Sequence, residues 1–294
     1  MKQPLYLIST FCSSLLLLFC FLLPFFYSNE IQEIIFINTE EGERLFPPYG
    51  PSPQHWLGTD IIGRDLFHQL VIYGKNTLIV VFTIVVLRFS IALCIGFVVK
   101  NKKGVLYWLM EKAHHYLSAL PILFLVILFM NLAIVEVSPW RMIFIIAFIV
   151  LIEVGRLSYI FSNEIHSYYQ QPYYEASKMI GSTFWLRLRK YDIRNIGPSI
   201  VILFMLELSK VMLLLGQLGF LSMFISQEYF TMEAGPVEVQ NRFGTWGSML
   251  ADTRDHIRDE FWIPLAPIGA ITFAMFTFQL CAESLKKYFS NLKS

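Results

Sequence analysis

Residues 77–99 read TLIVVFTIVVLRFSIALCIGFVV, an apolar run that carries a single charge, Arg88. About 20 apolar residues cross the ~30 Å hydrocarbon core as a helix, because a helix satisfies its own backbone polar groups where water cannot. Five further stretches of this kind lie near residues 5–27, 116–135, 142–161, 199–218 and 262–285. The whole composition agrees: 55% of 294 residues are hydrophobic and only 15% charged, with a mean hydropathy of +0.55. A soluble domain carries roughly 25% charge. Disorder, a coiled coil and a nucleic-acid binder with a basic face are excluded. A net charge of +1 gives no support to whole-molecule steering of an acidic partner. The fold class is therefore an all-α integral membrane protein with six transmembrane helices.

Cys12, Cys20, Cys94 and Cys281 all lie in apolar runs without CxxC spacing, so neither a disulfide framework nor a metal site is expected. The first apolar run exceeds the usual 7–15 residues of a signal peptide. Phe25-Phe26-Tyr27 stands where small residues would mark cleavage, and Phe19 before Cys20 suits a lipoprotein site poorly. It reads as a retained first helix.

Lysine and arginine in the connections set the orientation. Thirteen lie in the chain start, 100–112, 162–197 and the tail, against seven in the longer opposite segments 28–76, 136–141 and 219–261. Both termini are expected in the cytoplasm. Three connections exceed mere turns. The first outer one holds Pro47-Pro48-Tyr49-Gly50-Pro51-Ser52-Pro53, a stiff extended linker. No internal repeat is legible.

Within the basic inner loop, Pro172 suits the first turn of a short helix and Gly181 the position just past its end. Tyr173, Ala176 and Ile180 fall on one face, with Met179 beside them. So short a helix needs a partner: either a groove in a soluble subunit or the lipid surface.

Glu175-Ala176-Ser177, three residues and then Gly181 resembles the EAA loop of binding-protein-dependent ABC importer permeases. Its second half has decayed, with Tyr191, Ile193 and Arg194 where the family has I-x-L-P, so the proline is missing. Residues 55–65, HWLGTDIIGRD, followed by Tyr73-Gly74, are similar to the HxLGTDxxGRD…YG signature of oligopeptide, dipeptide and nickel permeases. This is the second-permease subtype. Read locally, Gly58 and Gly63 are turn residues, and Thr59 or Asp60 caps the following helix. Trp246-Gly247-Ser248-Met249-Leu250-Ala251-Asp252 resembles the family's WGxMLxE/D element. Residues 262–267 and 278–286 parallel the family's ending, with Ser284 where glycine is usual.

The resemblance runs from about His55 to Lys287 and implies a type I ABC importer permease fold with a cytoplasmic EAA coupling helix. Residues 1–74 would form the first helix and an extracellular segment. Residues 75–290 would form the transmembrane domain, with coupling loop 162–197 and an outer insertion 219–245 longer than the family's. That insertion is either a receptor contact or a tolerated surface loop. ATPase coupling would fall to Tyr173, Glu175, Ala176, Ser177, Ile180 and Gly181. Implied partners are a homologous second permease, two cytosolic ABC ATPases, an extracellular solute-binding protein and membrane lipid; nucleic acid is not among them. The chain would be no enzyme: it has no GxxxxGK[ST] loop, and ATP and Mg would bind in the ATPases. The implied location is the bacterial cytoplasmic membrane. The implied cargo is an oligopeptide or dipeptide, with nickel or a metallophore complex as the alternative.

Charges inside spans are expensive and usually functional. Glu153 and Arg156 lie three apart, as do Glu207 and Lys210, so each pair shares a helix face and can neutralise itself. Arg88 has no acid on its own span, so its partner belongs to another helix or another subunit. Structural pairing and a polar translocation path are both open readings for these five. A more distant alternative makes them the relay of an ion-coupled secondary transporter. Such proteins show internal repeats and helices interrupted at the midplane, and neither is legible here.

Overall fold

The computed structural model describes residues 4–27, 31–34, 36–38, 44–136, 138–172, 174, 179, 193–231, 237–241, 243–251 and 259–293. Helices dominate these: α1 (Pro4–Leu17), α2 (Leu66–Val98), α3 (Val105–Leu117), α4 (Ile122–Met130), α5 (Ala133–Glu136), α6 (Arg141–Tyr169), α7 (Ile193–Phe220) and α8 (Trp262–Lys293). The extended pieces are two small antiparallel ladders, β1 (Ile37–Asn38) with β2 (Arg44–Leu45) and β3 (Gln227–Thr231) with β4 (Val237–Asn241). β3–β4 falls inside the segment expected as an outer insertion, with Tyr229 opposite Val239.

Five helical stretches are long and apolar enough to span: Leu5–Phe25, Leu66–Val98, Arg141–Tyr169, Arg194–Phe220 and Trp262–Asn291. The sixth differs from the single helix expected over 116–135. There α3 and α4 form a broken pair, bent by 96°. The break holds Ser118-Ala119-Leu120-Pro121. Pro121 has no N–H to donate and disfavours helical backbone in the residue before it, so α3 ends ahead of it. Residues 105–112, expected in an inner connection, are helix as well.

The start of α2 shows how the signature segment works locally. Asp65 caps the helix, its Oδ1 accepting from the His68 amide at 2.9 Å, and His55 Nδ1 lies 2.7 Å from its other oxygen. Thr59 and Asp60, the expected caps, organise the loop instead. Thr59 Oγ1 accepts from the Tyr49 amide at 2.8 Å. Asp60 accepts from the amides of Ile62 and Arg64, the Arg64 side chain and Gln69. Gly58 and Gly63 stand at φ +79° and +83°, where a side chain would cost about 1 kcal/mol or more.

The chain groups into two units, Met1–Phe82 with Ser209–Phe278, and Thr83–Leu208 with Gln279–Ser294. In the first, Trp246 is 1% exposed. Its amide donates to Thr77 Oγ1 at 2.9 Å and its indole to the Leu70 carbonyl at 2.8 Å. Small residues permit this closeness. A Cβ added at Gly219 would stand 1.9 Å from the Gly247 carbonyl oxygen, and one at Gly74 2.9 Å from the Trp246 ring. In the second unit, Phe89 meets Phe161 and Phe204 edge-on, Phe129 stacks on Phe148, and Gly155 lets Ala113 of α3 approach α6.

Candidate functional site: a buried network of four charges

Four of the charges expected in the spans meet within the second unit. α6 places Glu153 and Arg156 one turn apart, and they form an ion pair. α7 brings Glu207, whose two oxygens receive different arginines. Arg88 Nη1 donates to Oε2 at 2.8 Å, and Arg156 Nη2 donates to Oε1 at 2.7 Å. Arg88 Nη2 donates to the Ile149 carbonyl at 2.7 Å. The sequence leaves Arg88 without an acid on its own helix; its acid stands 119 residues away, on α7.

Burial grades across the network. The Arg88 and Glu207 side chains are 2% and 1% exposed, and those of Arg156 and Glu153 are 16% and 17%. Each unpaired ion taken from water would cost several kcal/mol. Two cations against two anions cancel, and the paired geometry returns much of that cost. The result ties α2, α6 and α7 together and leaves one edge, Glu153 with Arg156, half open. Arg88 Nε has no hydrogen-bond partner among the described residues. Lys210, which the spacing places with Glu207, is exposed. Among the described residues no group of three His, Cys, Asp or Glu could hold a metal ion.

The expected coupling residues Tyr173, Glu175, Ala176, Ser177, Ile180 and Gly181 lie outside the described residues. Their neighbours do not. Tyr174 is 5% exposed, stacks on Tyr169 with centroids 4.1 Å apart and meets Tyr168 edge-on. Lys100 Nζ sits 4.9 Å over the Tyr169 ring. Met179 is 86% exposed. Tyr174 was not singled out by sequence; adjacent tyrosines at 168, 169, 173 and 174 were the available signal.

Two further residues escaped the sequence reading. The Ile149 carbonyl contributes through its backbone, so its side chain gave no signal. Thr77 could have been found as a hydroxyl in an apolar span, where it needs a partner. Outside the membrane, Arg64 is held above its ordinary pKa: burial works against its charge, but Asp60 above all, with Tyr73 and Glu33, outweighs that.

Comparison with known proteins gives a consistent result. The chain is 23% identical over 243 residues to a probable D,D-dipeptide transport system permease protein of Escherichia coli K12, covering 83% of this chain and 74% of that protein. It is 27% identical over 237 residues to the dipeptide transport system permease protein of Bacillus subtilis 168, covering 80% and 68%. To the glutathione transport system permease protein of Pectobacterium atrosepticum it is 21% identical over 237 residues, covering 81% and 72%. No family model matches the chain.

Proposed function

We propose that this multi-pass membrane chain, similar over at least 80% of its length to dipeptide and glutathione transport permeases, is the permease subunit of an ABC importer and carries short peptides inward. It would line the translocation path together with a second, homologous permease. An extracellular binding protein would deliver the peptide, and two cytosolic ATPases would bind ATP and Mg. Both termini would face the cytoplasm, as the lysine and arginine bias favours.

The observation that carries the reading is the match to three transport permeases of small peptides over at least 80% of the chain. The charge network supports it from physics. A charge-neutral cluster with a half-open edge stabilises a polar route without presenting net charge to a solute. Coupling would pass through the segment that follows Tyr174, with Tyr173, Ala176 and Ile180 inward and Glu175 at the rim.

The test is Ala176→Arg and Gly181→Pro in tagged permease, read by ATPase co-purification and peptide uptake. Both variants are expected to insert normally yet lose the ATPases and uptake together. Stoichiometric ATPases with normal uptake in Ala176→Arg would reject the docking assignment. Uptake of nickel or a metallophore complex, with none of peptide, would replace the cargo.

A further inference from the structure

A second set of polar groups borders the charge network on its half-open side. α3 carries Tyr107, Glu111 and His114, spaced four and three residues apart and so on one helix face. α6 carries Glu153, Arg156 and Tyr159. All six are half-buried. The His114 ring stacks on Tyr159 with centroids 4.7 Å apart and planes at 18°, and Tyr107 lies 6.0 Å from the same ring. His114 also feels the charges of Arg156 and Glu153. Ala113 meets Gly155, midway along α6, so this face of α3 stands level with the middle of a membrane-spanning helix.

Two groups on this strip have bonding capacity to spare. Arg156 uses Nε and Nη2 on Glu153 and Glu207, and Nη1 has no acceptor among the described residues. Glu111 has no ion-pair partner among the described residues. Lipid is a poor cover for such a face, because exposed acid and guanidinium are costly in hydrocarbon. A ligand that answers both groups needs a carboxylate for one and a cation for the other. The rings of Tyr107, His114 and Tyr159 on the same strip form a flat, amphipathic surface suited to amide planes and to side chains of varied size.

We propose that Tyr107, Glu111, His114, Glu153, Arg156 and Tyr159 form a subsite for a zwitterionic short peptide, its carboxylate toward Arg156 Nη1 and its ammonium toward Glu111. The inference rests on the peptide-import reading and deepens it by assigning the contacting residues. Glu153 acts as a positioning residue, holding the guanidinium so that Nη1 faces outward. The rings read no sequence, which matches a carrier that must release what it binds.

The experiment uses the full chain with its partner subunits in cells lacking other peptide uptake. Tyr107→Cys and, as an apolar control, Leu109→Cys are placed on a background without Cys12, Cys20, Cys94 and Cys281. A water-soluble maleimide is applied to open vesicles with trialanine or with trialanine capped at both ends. Tyr107→Cys should label, and trialanine at ~4 times its Kd should slow labelling about fivefold; capped peptide should not. Leu109→Cys should stay unlabelled. Failure of Tyr107→Cys to label means that a partner subunit or lipid covers the strip, and overturns the proposal. Labelling without protection makes it a wet surface only, and overturns the proposal equally. Separately, Glu111→Gln should raise the KM for trialanine uptake about tenfold, the loss of one charge-assisted contact, with the amount of permease unchanged. An unchanged KM while the parent chain imports trialanine defeats this inference alone. No peptide uptake by the parent chain defeats the peptide-import reading as well.

Discussion

The two units use polar atoms in opposite ways. Around Trp246 the first unit spends small residues and neutral donors: an indole on a carbonyl, an amide on a threonine hydroxyl, and glycines that let backbones touch. The second unit, around Glu207, holds four charges where apolar side chains would have been cheaper. Small-residue packing is how membrane helices associate when no hydrophobic force separates protein from lipid. A network of charges stabilises less than well-packed apolar groups of the same volume. The Trp246 region thus needs no explanation beyond cohesion, whereas the Glu207 region does.

The sharpest way to break this contrast lies in the first unit. Gly219→Leu must put a side chain where the Gly247 carbonyl already stands. The expected destabilisation is about 4 kcal/mol or more, seen as loss of folded permease by fluorescence-detected size exclusion. Near-normal yield would mean that the close approach is dispensable. Next comes Arg88→Leu, which leaves Glu207 with one arginine in place of two. Breaking a buried pair from one side costs about 3–5 kcal/mol. The double variant Arg88→Leu/Glu207→Leu should regain most of it, since Glu153 and Arg156 still balance. Additive losses in a thermal-stability cycle would show that the network is not coupled.

How far the sequence carried the reading differs between these regions as well. Apolar periods located the spans, because hydrocarbon demands a minimum length. They did not find the break at Pro121, since Leu120 and Ile122 continue the apolar run on either side. Charges in spans announced that pairing was needed. Spacing alone gave Glu207 to Lys210 on its own helix, while its oxygens receive Arg88 and Arg156 from two others. Contacts across 119 and 51 residues are set by tertiary packing, which a single chain read locally does not encode. The signature motif is legible as a turn, but the cap falls on Asp65 and not on Thr59 or Asp60, which hold the loop.

Smaller effects sharpen the comparison. Trp246→Phe removes the indole bond to Leu70 with little loss of ring volume. A cost of about 1 kcal/mol is expected, measured as a modest fall in melting temperature with uptake per folded molecule intact. Uptake lost at full stability would move Trp246 from cohesion to transport. Smallest is Arg64→Gln, which frees Asp60 from a partly exposed pair and should cost about 0.2–1 kcal/mol, less at high salt. Because the folded pKa of Arg64 is raised, its contribution is complete below its unfolded value and lost only as pH climbs through the folded one. The difference between Arg64→Gln and the parent should therefore stay flat across the neutral range. A pH-dependent difference near neutrality would show that a group other than Arg64 carries the effect.

The tyrosine stack at the end of α6 makes that helix a lever. Tyr174 is clamped on Tyr169, thirteen residues beyond Arg156. At 1.5 Å per residue the arm is ~20 Å long. A tilt of about 5° pivoting at Tyr169 would then carry the Arg156 backbone ~1.7 Å sideways, enough to stretch a 2.7 Å bond to Glu207 beyond hydrogen-bond range. A small tilt imposed on α6 by a pull on the chain just past Tyr174 would thus be magnified into a larger displacement at the charge network.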